Sequence, residues 1–183
     1  MHNSETILRC LDEQLSSNVE LTLYGRAALD LTFPDEDRFR GTLDVDVILP
    51  LVEISAIDAN EGFWNALERT NEILAPRGLY LTHLFPEDQV ILHPDWLRHR
   101  ATLGPYALKH LRLWRPSLPD LVLTKMMRVD PVDREDLTFL LGKSDMPKGG
   151  WSAFFDAARI PNLAEFHQAF RANRVWIEQN LLS

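Results

Sequence analysis

The sequence predicts an α+β protein, with a small mixed sheet flanked by helices over residues 1–115 and a C-terminal helical region packed on it over 116–183. Three observations predict it. Short runs of alternating apolar residues are confined to the first part, apolar residues recur at helical spacing through the second, and Gly41-Thr42-Leu43-Asp44-Val45-Asp46-Val47-Ile48-Leu49-Pro50 is an apolar strand carrying carboxylates at alternate positions.

Ile7, Leu8, Leu11 and Leu15 recur at helical spacing, and Ser16-Ser17-Asn18 ends that run before Leu21 and Leu23 alternate in a strand. Gly25 follows at once and Ala27-Ala28-Leu29 suits a short helix, so Gly25 lies at a strand-to-helix turn that presents free backbone N–H groups. A polar loop over 34–38 leads to the next strand. Side chains at i and i+2 of a strand share a face, which puts Asp44 beside Asp46 and turns Leu43, Val45, Val47 and Leu49 the other way.

Asn60 caps a helix carrying Phe63, Trp64, Leu67 and Leu74, which Pro76 and Gly78 end. Strands are expected over 79–85, 90–92 and 111–114. Ser117 opens a helix reaching about Arg128, and Asp130 opens the next. A short helix begins at Trp151. A longer one, opened by Asn162 with Glu165, buries Leu163, Phe166, Phe170, Ile177 and Leu181.

The chain has 183 residues, 45% hydrophobic and 25% charged, as ordinary folded domains do. A net charge of -8 argues against a broad nucleic-acid footprint. A local stripe of Arg98, Arg100, Lys109, Arg112 and Arg115 is left that could receive an RNA acceptor. Cys10, the single cysteine, can make no internal disulfide, and no stretch approaches the roughly 18 apolar residues of a membrane span. The expectation is a soluble cytoplasmic protein with no membrane partner.

Two neighbouring carboxylates repel and call for a counter-charge, which a hard divalent cation clamped on substrate phosphates supplies; a solvated acidic strand face is the other reading. Lys125 falls on the apolar stripe of Leu118, Leu121, Val122 and Val129, so it must snorkel out or meet an anion. Asp133 and Arg134 share a face with Leu137, Leu140 and Leu141 on the following helix. Lys125, Arg134 and Asp136 are read either as a polar network facing a cleft or as an ion-pair lattice joining the two helices. His83, His93, His99 and His110 lack the close pairing of a zinc site and read as surface or core histidines. Trp96, Trp114, Trp151 and Trp176 are expected to pack between sheet and helices.

Leu23-Tyr24-Gly25-Arg26-Ala27-Ala28-Leu29, followed by Thr42-Leu43-Asp44-Val45-Asp46-Val47, resembles the signature of the DNA polymerase β-type nucleotidyltransferase superfamily. Asp120-Leu121-Val122-Leu123-Thr124-Lys125, then Asp133-Arg134-Glu135-Asp136-Leu137, is similar to the later region of its abortive-infection (AbiEii-like) branch, found in bacterial toxin–antitoxin and phage-defence operons. The resemblance implies a nucleotidyltransferase-type sheet and Mg²⁺ (or Mn²⁺) held by Asp44 and Asp46 against a nucleoside triphosphate. Gly25 would let the backbone approach the phosphates, with Arg26, Lys125 and Arg134 as further nucleotide-binding groups. The implied reaction transfers a nucleoside monophosphate to a hydroxyl of RNA, a protein or a small molecule, and the implied protein partner is a cognate toxin or antitoxin.

Two departures from that pattern stand out. Arg26 occupies a position where many relatives carry Gly or Ser. The third catalytic carboxylate has no clear counterpart, and Glu87 and Asp88, just past the strand end, are its candidates. These departures support an alternative, a catalytically inactive nucleotidyltransferase-like module that binds a protein partner.

Overall fold

The computed structural model describes residues 2–104 and 106–183. In chain order the elements are α1 (Asn3–Gln14), β1 (Val19–Tyr24), α2 (Gly25–Thr32), β2 (Asp44–Leu49), α3 (Leu51–Asp58), α4 (Glu61–Leu74), β3 (Tyr80–Pro86), β4 (Ala101–Thr102), β5 (Leu111–Arg115), α5 (Leu118–Lys125), α6 (Pro131–Lys143), α7 (Gly150–Ala157) and α8 (Ala164–Asn180). The strands form one mixed five-stranded sheet in the order β3-β2-β1-β5-β4. β1 runs antiparallel to β2 and parallel to β5, β2 runs parallel to β3, and β4 pairs antiparallel with β5.

The chain divides into two compact units, Met1–Pro86 with Ala101–Arg115, and Glu87–Arg100 with Pro116–Ser183. The segment Glu87–Arg100, expected with the sheet, instead belongs to the helical unit.

In the first unit Val19, Leu21 and Leu23 of β1 and Val45 and Val47 of β2 are buried, as their alternation requires. Ile7, Leu8, Leu11 and Leu15 of the first segment and Phe63, Ala66, Leu67 and Leu74 of α4 supply the helical part of that core. Leu43, expected inside, is 57% exposed because it precedes the first paired residue of β2. Asn60 caps α4 as its sequence predicts, accepting from the Phe63 N–H at 3.0 Å. Asn71 of the same helix reaches β3, an outer strand of the sheet. Its side chain donates to the Leu81 carbonyl (2.9 Å) and accepts from the Leu81 N–H (2.8 Å). Asp12 of α1 accepts the backbone N–H groups of Lys109, His110 and Leu111 at 2.8, 2.7 and 2.8 Å, which ties the start of β5 to the first helix.

In the second unit Ser117 caps α5 through the Asp120 N–H, and Asp130 caps α6 through Val132 and Asp133, both as predicted. Helix α5 stops at Lys125 rather than near Arg128, and the carbonyls of Met126 and Arg128 beyond it accept instead from Asn173 of α8. Asn162 does not cap α8, whose boundary residue Leu163 makes no side-chain cap bond and is exposed. Residues 90–92 form no strand. Val90, Ile91 and Leu92 are buried as a loop whose one bridge joins Leu92 to Arg159. Trp151 and Phe155 are buried beside Phe154 and Phe170, and Trp96 is buried with its indole N–H on Glu87. No helix among the described residues is long and apolar enough to cross a membrane.

Candidate metal centre

Register decides which side chains meet on the sheet. β1 and β2 place Tyr24 opposite Asp46, and β2 and β3 place Asp44 opposite Tyr80 and Val45 opposite Leu81. The β2–β3 pairing then shifts, so that Asp46 stands opposite His83 rather than Thr82. This is a β-bulge, uncommon in a parallel pair, with Thr82 as the additional residue. Regular pairing would have set Thr82 against Asp46 and turned His83 toward the core with Val47. The bulge therefore brings an imidazole onto the carboxylate face.

Asp44, Asp46 and His83 are grouped there, each offering one ligand atom within 4.8 Å of the others. His83 Nδ1 lies 3.2 Å from Asp46 Oδ1 and 3.2 Å from the Thr82 hydroxyl oxygen. Its ring stacks on Phe85 with centroids 5.6 Å apart and planes 10° from parallel, while Phe85 meets Tyr24 edge to face at 6.1 Å. The Thr42 hydroxyl donates to Asp44 Oδ1 at 3.3 Å. Asp44 and Asp46 are partly buried and His83 is exposed, so the group is open to solvent on one side.

Gly25 closes another side. It begins α2 directly after β1 with φ +65°, a left-handed conformation that side chains resist, and a Cβ added to it would stand 3.0 Å from Asp46 Oδ2. The φ value favours glycine at this corner, and a Cβ there would oblige the Asp46 carboxylate to give way by a few tenths of an ångström. The first N–H groups of α2 have no acceptor inside the helix, which sets the positive end of the helix dipole beside the Asp46 carboxylate. Arg26, the next residue, extends its guanidinium to 5.9 Å from the Phe39 ring centroid.

Glu87, Asp88, Lys125, Arg134 and Asp136 lie in the second unit. Lys125 is buried, its ammonium 2.8 Å from Asp133 Oδ1 and 2.7 Å from Asp136 Oδ2, and both aspartates are buried with it. Arg128 also bonds Asp133. Burial by itself raises the Asp133 carboxyl, but hydrogen bonds and charge from Arg128 and Lys125 outweigh it and hold the group below the usual carboxylate range. This is an ion-pair lattice between α5 and α6. Arg134 lies 5.0 Å above the Trp176 ring of α8. Glu87 is engaged by the Trp96 indole N–H at 3.0 Å and by Arg159 at 3.4 Å, and Asp88 sits exposed in the short 3-10 turn after β3. In the basic stripe, Arg112 pairs with Glu20 and Arg98 with Asp95.

Sequence reasoning set His83 aside because it looked only for paired histidines. The usable signal was parity. Leu81 and Leu84 are separated by two consecutive polar residues, which strict alternation does not allow and a bulge does. The set of two carboxylates and one imidazole, on a face where a Cβ at residue 25 would crowd Asp46, fits a divalent cation. Comparison of the chain with protein-family models, with curated proteins and with solved structures gave no match.

Proposed function

We propose that this chain is a divalent-cation-dependent nucleotidyltransferase that transfers a nucleoside monophosphate from an NTP to a hydroxyl on RNA, a protein or a small molecule. One observation carries the reading: the glycine corner that opens α2 lies directly against Asp46, with Asp44 on the same strand face. A phosphate tail needs both features together, backbone N–H groups unobstructed by a side chain and carboxylates that can share a cation with it.

Asp44 and Asp46 would hold the cation, which when bound neutralises charge on the phosphates and the leaving pyrophosphate. Gly25 and the first turn of α2 would receive the terminal phosphates through backbone N–H donors. Arg26, on that same turn, would add a guanidinium that binds phosphate in fork geometry. Lys125, Arg134 and Asp136 are not needed by this argument.

Titration calorimetry with ATP, GTP, CTP and UTP in Mg²⁺ or Mn²⁺ tests the reading. At least one nucleotide should bind, and an Asp44→Asn/Asp46→Asn double variant should lose it. Equal binding by that variant, or no binding by the native chain, overturns it. The third member of the group, an imidazole rather than a carboxylate, favours a second reading, a nucleotidyltransferase-like module that binds a protein partner and performs no transfer. That reading requires that no α-phosphate label is incorporated into any acceptor.

A further inference from the structure

We infer that His83 is a third ligand of this cation site and that it biases the site toward first-row transition ions over Mg²⁺. The inference rests on the cation reading above and adds to it the identity of the ion.

Three observations support it. The Thr82 bulge departs from the regular ladder at the one place where that departure moves His83 from the core face to the aspartate face. Contacts then orient its ring: the stack on Phe85 sets the plane, and the Thr82 hydroxyl and Asp46 flank Nδ1 at 3.2 Å each. The Thr82 hydroxyl is an outer contact of the kind that orients metal-ligating imidazoles and fixes the tautomer. Finally, a ligand atom of His83 lies within 4.8 Å of those of Asp44 and Asp46, a span that one cation bridges.

Donor chemistry then decides the ion. Mg²⁺ prefers oxygen ligands in near-ideal octahedra and keeps several waters, whereas imidazole nitrogen raises the affinity of first-row transition ions. A site with three carboxylates has little reason to reject Mg²⁺. Exchange of one carboxylate for imidazole removes a negative charge and supplies a softer donor, so Mg²⁺ loses more than Mn²⁺ does.

The test uses the full chain and the metal alone, with Mn²⁺ and Mg²⁺ as probes. Binding is measured by calorimetry, and ligation by pulsed electron paramagnetic resonance of bound Mn²⁺, where a coordinated imidazole gives nitrogen modulation. The native chain should bind Mn²⁺ at least about tenfold more tightly than Mg²⁺ and show that modulation. His83→Gln should abolish the modulation and weaken Mn²⁺ by more than about tenfold, because even outer contacts of a metal ligand are worth that much. His83→Asp should recover Mg²⁺ binding relative to Mn²⁺. His83 is exposed, so these variants fold, and circular dichroism verifies it. Mn²⁺ bound without nitrogen modulation, or an unchanged ion ratio in His83→Gln, overturns the inference and leaves the cation site standing. Failure of the native chain to bind either ion overturns both.

Discussion

Lys125 in the helical unit and His83 in the sheet unit each face a pair of aspartates, and the two sets differ in burial and in the kind of base they hold. The Lys125 ammonium is sealed between Asp133 and Asp136, with all three side chains under a tenth exposed. Asp46 is 26% and His83 52% exposed, and an imidazole brings a lone pair as readily as a charge. A closed lattice spends its charges on itself and holds two helices together. An open triangle leaves its carboxylate and imidazole atoms within reach of solvent. Acidic residues near a base are therefore weak evidence of chemistry until burial and donor type are known.

The comparison predicts opposite responses to loss of charge. Lys125→Met leaves two buried aspartates facing one another, and unfolding in denaturant should show a loss of about 3–5 kcal/mol. The same lattice gives the acid limb a defined sign. The folded Asp133 carboxyl is held low, so its contribution is fully present above the unfolded carboxylate value of about 4 and is lost as pH falls through the folded value. Thermal melts between pH 6 and pH 2 should fall less steeply for Lys125→Met than for the native chain.

Asp12 is an intermediate case, a carboxylate closed by backbone donors rather than by a cation. Burial raises it, and the N–H groups of Lys109, His110 and Leu111 with the charge of His110 more than reverse that, leaving it low. Asp12→Ala should cost about 3 kcal/mol in denaturant, since the chain loses bonds to a charged acceptor and the start of β5 loses its anchor.

On the open side the effects on folding are smaller and those on binding larger. Gly25→Ala imposes a left-handed conformation on a side chain, about 1–2 kcal/mol, and crowds Asp46. Calorimetry should show that it weakens nucleotide binding more than its stability loss accounts for. Asp44→Asn should change unfolding stability by no more than about 0.5 kcal/mol while it removes cation binding. A loss as large as that of Lys125→Met would make the triangle a structural lattice after all.

Elements marked by a local signal were legible in the sequence. Caps at Asn60, Ser117 and Asp130 act through their own side chains, and the alternation of β1 and β2 follows from a face that is buried. What escaped depends on distant partners. Helix α3 gives no amphipathic pattern, because Leu51 and Val52 are exposed and Ile57 is its buried residue. Residues 90–92 have strand composition, but their backbone meets one bridge partner instead of a ladder. β4 covers two residues, too short for any pattern. At the candidate site Asp44, Asp46 and Gly25 were legible as a set, since strand parity and glycine chemistry are local rules. His83 was legible only in part: the consecutive polar residues between Leu81 and Leu84 mark a break in alternation, but that the break sets His83 opposite Asp46 depends on the pairing with β2.

The carboxamide of Asn71 has a consequence for solubility. An outer strand offers amide groups to any extended chain that drifts past, and this is how sheets grow into fibres. At Leu81 both groups are already taken by a side chain that copies the hydrogen bonding of a peptide unit. The rim near the exposed His83 is thus stoppered at Leu81, where an arriving polypeptide finds neither a donor nor an acceptor left to join.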